Sequence, residues 1–335
     1  MRVLVTGATG FTGGHLASGL ARRGHQVRAL VRDRSRAAAL EAAGIELAPG
    51  DLTDVSSLRA AAQGVEVVYN IAAIYREAGL PDDRYFAVNA RAVRSVIEAA
   101  GAGGARRVVH CSTVGVHGDV GGTESSGNGA RPAANEDAPL KPGDVYQRSK
   151  VEGESIARQA SADVGIEVVI ARPSGIYGPG DRRLLKLFRG VARRRFVILG
   201  SGEIYYHLTY IDDLVEGFRL CGEAPAAAGR TYILAGREVT TLNTLVERIA
   251  REAGVAPPSM HLPVWPVWLA GAACEAVCAP FGLEPPLYRR RVDFFTKSRA
   301  FDISRAQREL GFAPRFDLKQ GIARTLAWYR QEGWL

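Results

Sequence analysis

The sequence predicts an α/β fold in which a doubly wound parallel sheet carries a smaller, interleaved C-terminal lobe. Three observations predict it. Through the first half, short β-branched runs alternate with longer Ala/Arg/Glu-rich stretches, the pattern of successive βαβ units. A glycine-rich turn, Thr6-Gly7-Ala8-Thr9-Gly10-Phe11-Thr12-Gly13, stands directly after the first such run. After Ala171 the alternation weakens, and Pro173, Gly178-Pro179-Gly180 and Pro257-Pro258 punctuate a less regular half.

Taken in order, strands are predicted at residues 2–6, 26–31, 45–49, 65–71, 107–112 and 167–171. Helices are predicted between them, near 13–23, 34–43, 55–62, 85–100 and 145–162. The run 231–235, after the helix-like stretch 212–221, is expected to return to the main sheet. Residues 1–172 with 212–235 would then form one domain, and 173–211 with 236–335 the smaller lobe. A chain of 335 residues is longer than one core usually supports, which suits that division.

Composition narrows the function. The apolar and charged fractions, 47% and 23%, are those of ordinary globular proteins. Met1 to Val5 run straight into the glycine turn, leaving no room for a signal peptide, so a cytoplasmic location is expected. Cys111, Cys221, Cys274 and Cys278 lack CxxC spacing and are expected to be small buried hydrophobes, with no metal site.

The apolar stretch 264–280 contains Pro266 and Glu275 and is shorter than the roughly 20 residues of a spanning helix. No membrane span is expected, and a core helix is preferred to an interfacial one. The net charge of +8 is scattered with no nucleic-acid motif, so the expected partner is a small-molecule substrate and not nucleic acid. Arg193-Arg194-Arg195 and Arg289-Arg290-Arg291 have the chemistry to hold an anion, although short charge runs more often face water. The segment 119–137, rich in Gly, Ser, Asn and Pro, reads as a flexible loop, either a lid or a plain insertion.

The glycine turn follows a strand and opens a helix, the context that marks a dinucleotide-binding (Rossmann) fingerprint. Gly7, Gly10 and Gly13 permit the tight turn and close backbone approach, and the helix N-terminus offers N–H groups to a pyrophosphate. Thr9, Phe11 and Thr12 complete the loop. The second strand ends Leu30-Val31-Arg32-Asp33. An acid binding the ribose of NAD would stand where Val31 is, whereas Arg32 suits a 2′-phosphate. NADP(H) is therefore the preferred cofactor, with NAD(H) served if Asp33 turns in. Asp51 and Leu52 follow the third strand and Ala72 and Ala73 the fourth, at the carboxyl edge where open sheets bind ligands. Asp51 would address the adenine, and the alanines either admit the cofactor or simply pack.

Tyr146 and Lys150 stand four residues apart in a predicted helix and share one face. A neighbouring cation favours the phenolate, making the phenol a proton donor and acceptor near neutrality. Lys150 would also reach the nicotinamide ribose. In Cys111-Ser112-Thr113-Val114-Gly115-Val116-His117-Gly118, Thr113 is assigned to the substrate oxygen, and Ser112 to backbone at the strand end.

With Arg172-Pro173-Ser174-Gly175-Ile176-Tyr177-Gly178-Pro179-Gly180-Asp181 and Arg308-Glu309-Leu310-Gly311-Phe312-Ala313-Pro314, these motifs resemble, in this order and over nearly the whole chain, the extended short-chain dehydrogenase/reductase superfamily of NAD-dependent epimerases and dehydratases. The resemblance implies that Asn89 supports the active-site end of the sheet, that Pro173 and Ser174 contact the nicotinamide, and that the chain forms a homodimer through the helices near 85–100 and 145–162.

The nucleotide-sugar branch usually has Asn where Gly175 stands, Arg where Tyr206 stands, and a late RPGD-like segment that is missing here. The decapeptide from Arg172, the apolar 264–280 stretch, and Arg291-Val292-Asp293-Phe294-Phe295 ahead of Arg299-Ala300-Phe301-Asp302 look like the 3β-hydroxysteroid dehydrogenase and dihydroflavonol-reductase-like branch. The expected activity is reversible hydride transfer at a secondary alcohol or ketone of a fairly apolar molecule. The alternative is a nucleotide-sugar epimerase with tightly held NAD, its substrate anchored by Arg182, Arg183 or the Arg289-Arg290-Arg291 run. A non-catalytic dinucleotide sensor would have no need of Thr113, Tyr146 and Lys150 together.

Overall fold

The computed structural model describes residues 1–77, 79–120, 133–278 and 292–335. In chain order, β1 (Arg2–Thr6), α1 (Phe11–Arg22) and β2 (Gln26–Val31) come first. A 3-10 turn (Arg34–Ala37), α2 (Ala38–Ala42), β3 (Glu46–Pro49), α3 (Val55–Ala62) and β4 (Val67–Asn70) follow. Next come α4 (Asp82–Phe86), a π-helical turn (Ala87–Arg91), α5 (Ala92–Ala102), β5 (Arg107–Cys111), a 3-10 turn (Val114–His117), α6 (Val145–Val164) and β6 (Glu167–Pro173). The later elements are β7 (Gly175–Tyr177), α7 (Leu185–Ala192), β8 (Ile198–Leu199), β9 (Tyr205–Tyr210), α8 (Ile211–Glu223) and β10 (Thr231–Leu234). They continue through β11 (Val239–Thr241), α9 (Leu242–Ala253), β12 (His261–Leu262), α10 (Val264–Cys278), α11 (Asp293–Thr296), α12 (Ser304–Leu310) and α13 (Leu318–Gln331).

Seven parallel strands lie in the order β10-β6-β5-β4-β1-β2-β3, a doubly wound α/β sheet with the order reversing between β1 and β4. Both faces are covered, so successive residues of a strand enter opposite cores. Val3 and Val5 pack on the side of Leu16, Leu20 and Phe218. Leu4 packs on the side of Leu58, Val96 and Ala157. The chain leaves the sheet after β6 and comes back as β10, which pairs with β6 from Thr231 opposite Ile170 to Leu234 opposite Pro173. Smaller sheets, β11-β9-β7 and β12-β8, lie outside the main one.

Some elements differ from the expectation. The helix expected near 85–100 runs on from 82 to 102 and contains a π-helical turn. There Asn89 turns its amide onto the Ile74 main chain and its carbonyl sits where a Cβ at Gly153 would come within 2.3 Å. The 119–137 segment is tied down at both ends, with Val120 and Ala134 bridging to Arg299 and Phe301, while its middle, residues 121–132, lies outside the described residues. The core reading of 264–280 is overturned: in α10 only Gly271 is buried, and residues 279 and 280 lie outside the description.

One buried polar network fastens α6 to the sheet. Arg172 on β6 donates from Nε and Nη2 to Glu154 Oε1 and Oε2 at 2.8 and 2.6 Å, and from Nη1 to the Glu136 carbonyl at 2.8 Å. Ser112, just after β5, donates to Glu154 Oε1 at 2.6 Å. Burial pushes the Glu154 carboxyl up, but the Arg172 guanidinium and the Ser112 hydroxyl outweigh it and hold the group below the usual range.

A carboxylate depressed on folding gives stability that is fully present above its unfolded value, near ~4.3, and is lost as pH falls through the folded value. Replacing Glu154 with Gln leaves a buried guanidinium without its counter-charge, which is expected to cost about 3–5 kcal/mol. Denaturant titration at neutral pH should show that loss, with a flatter decline of stability in acid; an unchanged midpoint would mean the pair contributes nothing.

Candidate active site

The carboxyl ends of β1, β4, β5 and β6 open on a cleft of about 1150 Å³. At one end Gly7 has φ +69°, and a Cβ there would sit 2.7 Å from the Ala72 Cα. A Cβ on Gly13 would lie 2.2 Å from the Gly7 carbonyl oxygen. Glycine alone lets the turn, the β4 end and the start of α1 approach this closely. Gly10 caps α1 with no side-chain hydrogen bond, so the first-turn N–H groups remain available to an anion. Thr9, Phe11 and Thr12 line the same end, with Leu52 and Ala73. This cradle fits a dinucleotide pyrophosphate.

Buried hydrogen bonds fix the floor. Thr6 Oγ1 accepts from the Ile71 and Ala72 N–H groups, both at 3.1 Å, and donates to Asn70 Oδ1 at 2.9 Å. Asn70 Nδ2 lies 3.3 Å from His110 Nδ1. Burial, then the nearby Lys150 charge, pushes the His110 pKa well below its ordinary value and keeps the ring neutral.

At the adenosine end Arg32 and Arg36 line the wall, with Arg32 Nε 3.8 Å from Asp51 Oδ2. Burial pushes the Asp51 carboxyl up, but hydrogen bonds from Thr53 and the Arg32 and Arg84 charges bring it below the usual range. Asp33 caps the Arg34–Ala37 turn, accepting from Ser35 N at 2.9 Å and Ser35 Oγ at 2.6 Å. Turning inward would break that cap.

Thr113, Tyr146 and Lys150 line the same cleft. Asp144 caps α6 by accepting from Gln147 N at 2.8 Å, which sets Tyr146 in the first turn. Lys150 Nζ is buried and donates to the Cys111 carbonyl at 2.7 Å; burial lowers its pKa. Thr113 Oγ1 accepts from Gly115 N at 3.1 Å and caps the Val114–His117 turn. Ser112 differs from the expectation, because its hydroxyl goes to the Glu154 carboxylate and not to backbone.

The cations around the Tyr146 ring also differ. Arg76 places its guanidinium carbon 5.8 Å from the Tyr146 ring centre and 5.3 Å from that of Tyr75. The Tyr75 and Tyr146 rings meet edge to face at 4.9 Å, and Arg183 lies 5.7 Å from Tyr75. Arg76 is held by Asp144 Oδ2, with Nε and Nη2 both at 2.8 Å, in a backbone conformation of φ +37°. Burial pushes the Tyr146 hydroxyl pKa up, with Cys111 and Tyr75 adding to it, and Arg76 and Arg183 pull it back. Arg76 and Arg183 thus act on the Tyr146 hydroxyl besides the expected Lys150, and Arg76 has no motif in the sequence to announce it. Asp144 and Glu154 were also missed; the signals that could have found them are an acid directly before the α6 helix and a carboxylate four residues after Lys150.

Pro173 and Ser174 line the cleft, and the buried Ser174 hydroxyl has no partner among the described residues. Asn89 stands behind the wall, its amide engaged by Ile74 and by Ser149 Oγ at 3.0 Å, so it positions the loop after β4 and does not face the cofactor cradle. The cleft is also lined by Ile176, Tyr206, Leu208, Phe294, Phe295 and Phe301, with Lys186, His207, Asp293, Lys297 and Arg299 among them. A Cβ on Gly175 would meet Leu208 Cδ2 at 2.6 Å, so an Asn would have to displace that leucine. Arg182 stacks 4.9 Å from the Trp334 ring and is not on the cleft wall, whereas Arg183 is. The Arg289-Arg290-Arg291 run lies outside the described residues. Among the described residues no cluster suited to a metal ion occurs.

Residues 3–235 match the model of the NAD dependent epimerase/dehydratase family. The chain is 29% identical over 313 residues to 3beta-hydroxysteroid-dehydrogenase/decarboxylase isoform 2 of Arabidopsis thaliana, covering 86% of this chain but about half, 52%, of that protein. It is also 29% identical to a 2-alkyl-3-oxoalkanoate reductase of Stenotrophomonas maltophilia (strain K279a), over 98% of this chain and 99% of the relative. A solved structure of UDP-glucuronic acid 4-epimerase from Bacillus cereus in complex with NAD superposes with a TM-score of 0.76 over 99% of both chains, at 23% identity, a likeness of fold.

Replacing Arg76 with Ala removes one of the charges that draw the Tyr146 pKa down. The titration of Tyr146, followed by ultraviolet difference absorbance, should move to higher pH, and Arg76→Lys should restore part of it. A profile unmoved by Arg76→Ala would show that this charge does not act on Tyr146.

Proposed function

We propose that this chain, which belongs to the NAD dependent epimerase/dehydratase family and has the extended short-chain dehydrogenase/reductase fold, reversibly reduces a ketone, or oxidises the matching secondary alcohol, on a fairly apolar small molecule. The observation that carries the reading is one cleft lined by Thr113, Tyr146 and Lys150, by the glycine cradle, and by a group of aromatic and aliphatic side chains. The activities named for the two relatives, on a hydroxysteroid and on a 2-alkyl-3-oxoalkanoate, support an apolar substrate that bears an oxygen.

The dinucleotide, when bound, supplies or accepts the hydride. Tyr146 gives its hydroxyl proton to the substrate oxygen in reduction and takes it back in oxidation. Thr113 Oγ steadies the same oxygen. Arg76 and Arg183 offset part of the burial cost of the phenolate. Lys150, fixed on the Cys111 carbonyl, would hold the nicotinamide ribose, and the unpartnered Ser174 hydroxyl beside Pro173 would meet the carboxamide.

NADP(H) is favoured over NAD(H), because Arg32 and Arg36 line the adenosine end while Asp33 is committed to Ser35. A nucleotide-sugar epimerase is disfavoured by Gly175 against Leu208 and by Arg182 on Trp334. A cytoplasmic homodimer meeting on the outer faces of α5 and α6 completes the proposal.

Tyr146→Phe should lower turnover by at least about 100-fold while dinucleotide binding persists; full activity would remove the mechanism. Arg32→Ala should weaken NADPH about 10-fold, the effect of one charged contact, and leave NADH nearly unchanged. Equal losses would end the phosphate-binding role. Denaturing the purified protein should release no stoichiometric NAD, whereas a full equivalent would favour the epimerase.

A further inference from the structure

Among the described residues, six of the ten large exposed apolar side chains fall in one stretch, residues 260–277. Met260 is 57% exposed, Trp265 68%, Leu269 56% and Val277 66%, with Leu262 and Trp268 also exposed. Within α10 the sequence carries a single charge, Glu275. A helix that is apolar all round normally lies in a core or a bilayer, yet in α10 only Gly271 is buried. At 15 residues it is roughly 22 Å long, less than the ~30 Å of a hydrocarbon layer, and no described helix is long and apolar enough to cross a membrane.

A basic group adjoins it. Strand β12 pairs with β8, and Ile198 N donates to the Met260 carbonyl at 3.2 Å. Arg193, Arg194 and Arg195, all exposed, immediately precede that strand pair, turned at Arg194 by φ +56°. The next residue, Phe196, stacks on Phe295 at 6.0 Å, and Phe295 lines the substrate end of the cleft. The arginines thus lead into, and the apolar stretch leads out of, one paired strand unit beside the cleft.

We propose that this surface docks the protein on an anionic lipid bilayer, with α10 lying in the interfacial plane and Arg193, Arg194 and Arg195 on the headgroups. Tryptophan is favoured at that boundary, and each basic side chain near an anionic leaflet adds to binding. Charge complementarity selects an anionic leaflet over a neutral one. The benefit to an apolar substrate entering from lipid rests on the function proposed above, but the docking does not.

The test is co-sedimentation of the purified chain with vesicles of phosphatidylglycerol and phosphatidylcholine, or of phosphatidylcholine alone. Binding is expected to the anionic vesicles, weakening at high salt. It should fall roughly 100-fold when the three arginines become serine, at about fivefold per charge. Trp265→Ser with Trp268→Ser should also weaken it. Unchanged dinucleotide binding shows that each variant is folded, and the salt dependence of the unaltered chain needs no variant. Tyr146→Phe should sediment like the parent, so a failed catalytic reading leaves this result standing. Absence of binding to both vesicles overturns the proposal, as does binding indifferent to salt and to the arginines. Loss of a dimer in light scattering on replacing the tryptophans, without vesicle binding, would assign the face to a second copy instead.

Discussion

The buried pair of Arg172 and Glu154 is the constraint on which the catalytic geometry depends. It joins α6, which carries Tyr146 and Lys150, to β6, and through Ser112 to the end of β5. Arg172 also lies 3.1 Å from His117 Nε2 and donates to the Glu136 carbonyl, and the Glu136 carboxylate accepts from Ile233 N on β10. Two charges in a low-dielectric interior are tolerated only when nearly every donor and acceptor is matched. Matching them fixes the relative positions of a helix, three strands and the Thr113 turn at once.

The two halves of the cleft are built from different materials. The cofactor end is backbone shape: missing side chains at Gly7 and Gly13, small ones at Ala72 and Ala73, and an uncapped helix start. The catalytic end is charge: a buried phenol beneath Arg76 and Arg183, a buried ammonium on a carbonyl, and a neutral histidine in the floor. Shape tolerates no added methyl group, whereas charge can be adjusted by neighbours, as Asp144 adjusts Arg76.

That division explains what could be read in the chain. Backbone requirements leave glycines at fixed spacing, so the cradle around Gly7, Gly10 and Gly13 was legible, as was the helical spacing of Tyr146 and Lys150. The sheet was legible because strands buried on both faces appear as unbroken β-branched runs. Arg76 was not, because a lone arginine in a loop acquires its meaning only from the ring it meets. The exposed state of α10 was hidden for the opposite reason: an apolar run records an aversion to water, not what relieves it. Asn89 shows a third case, in which a residue implied by resemblance serves the wall from behind.

The return of β10 to the edge of the sheet also governs the order of assembly. Until residues 231–234 have emerged, β6 presents a bare edge of unpaired N–H and C=O groups, and Glu136 lacks its Ile233 amide. A nascent chain that already contains Tyr146, Lys150 and Arg172 is therefore still without the strand that closes the sheet beside them. The sequence separation that must be closed is large, which slows folding. For that interval the unfinished chain is a template for pairing with other strands, and chaperone protection during synthesis would matter most between the emergence of β6 and that of β10.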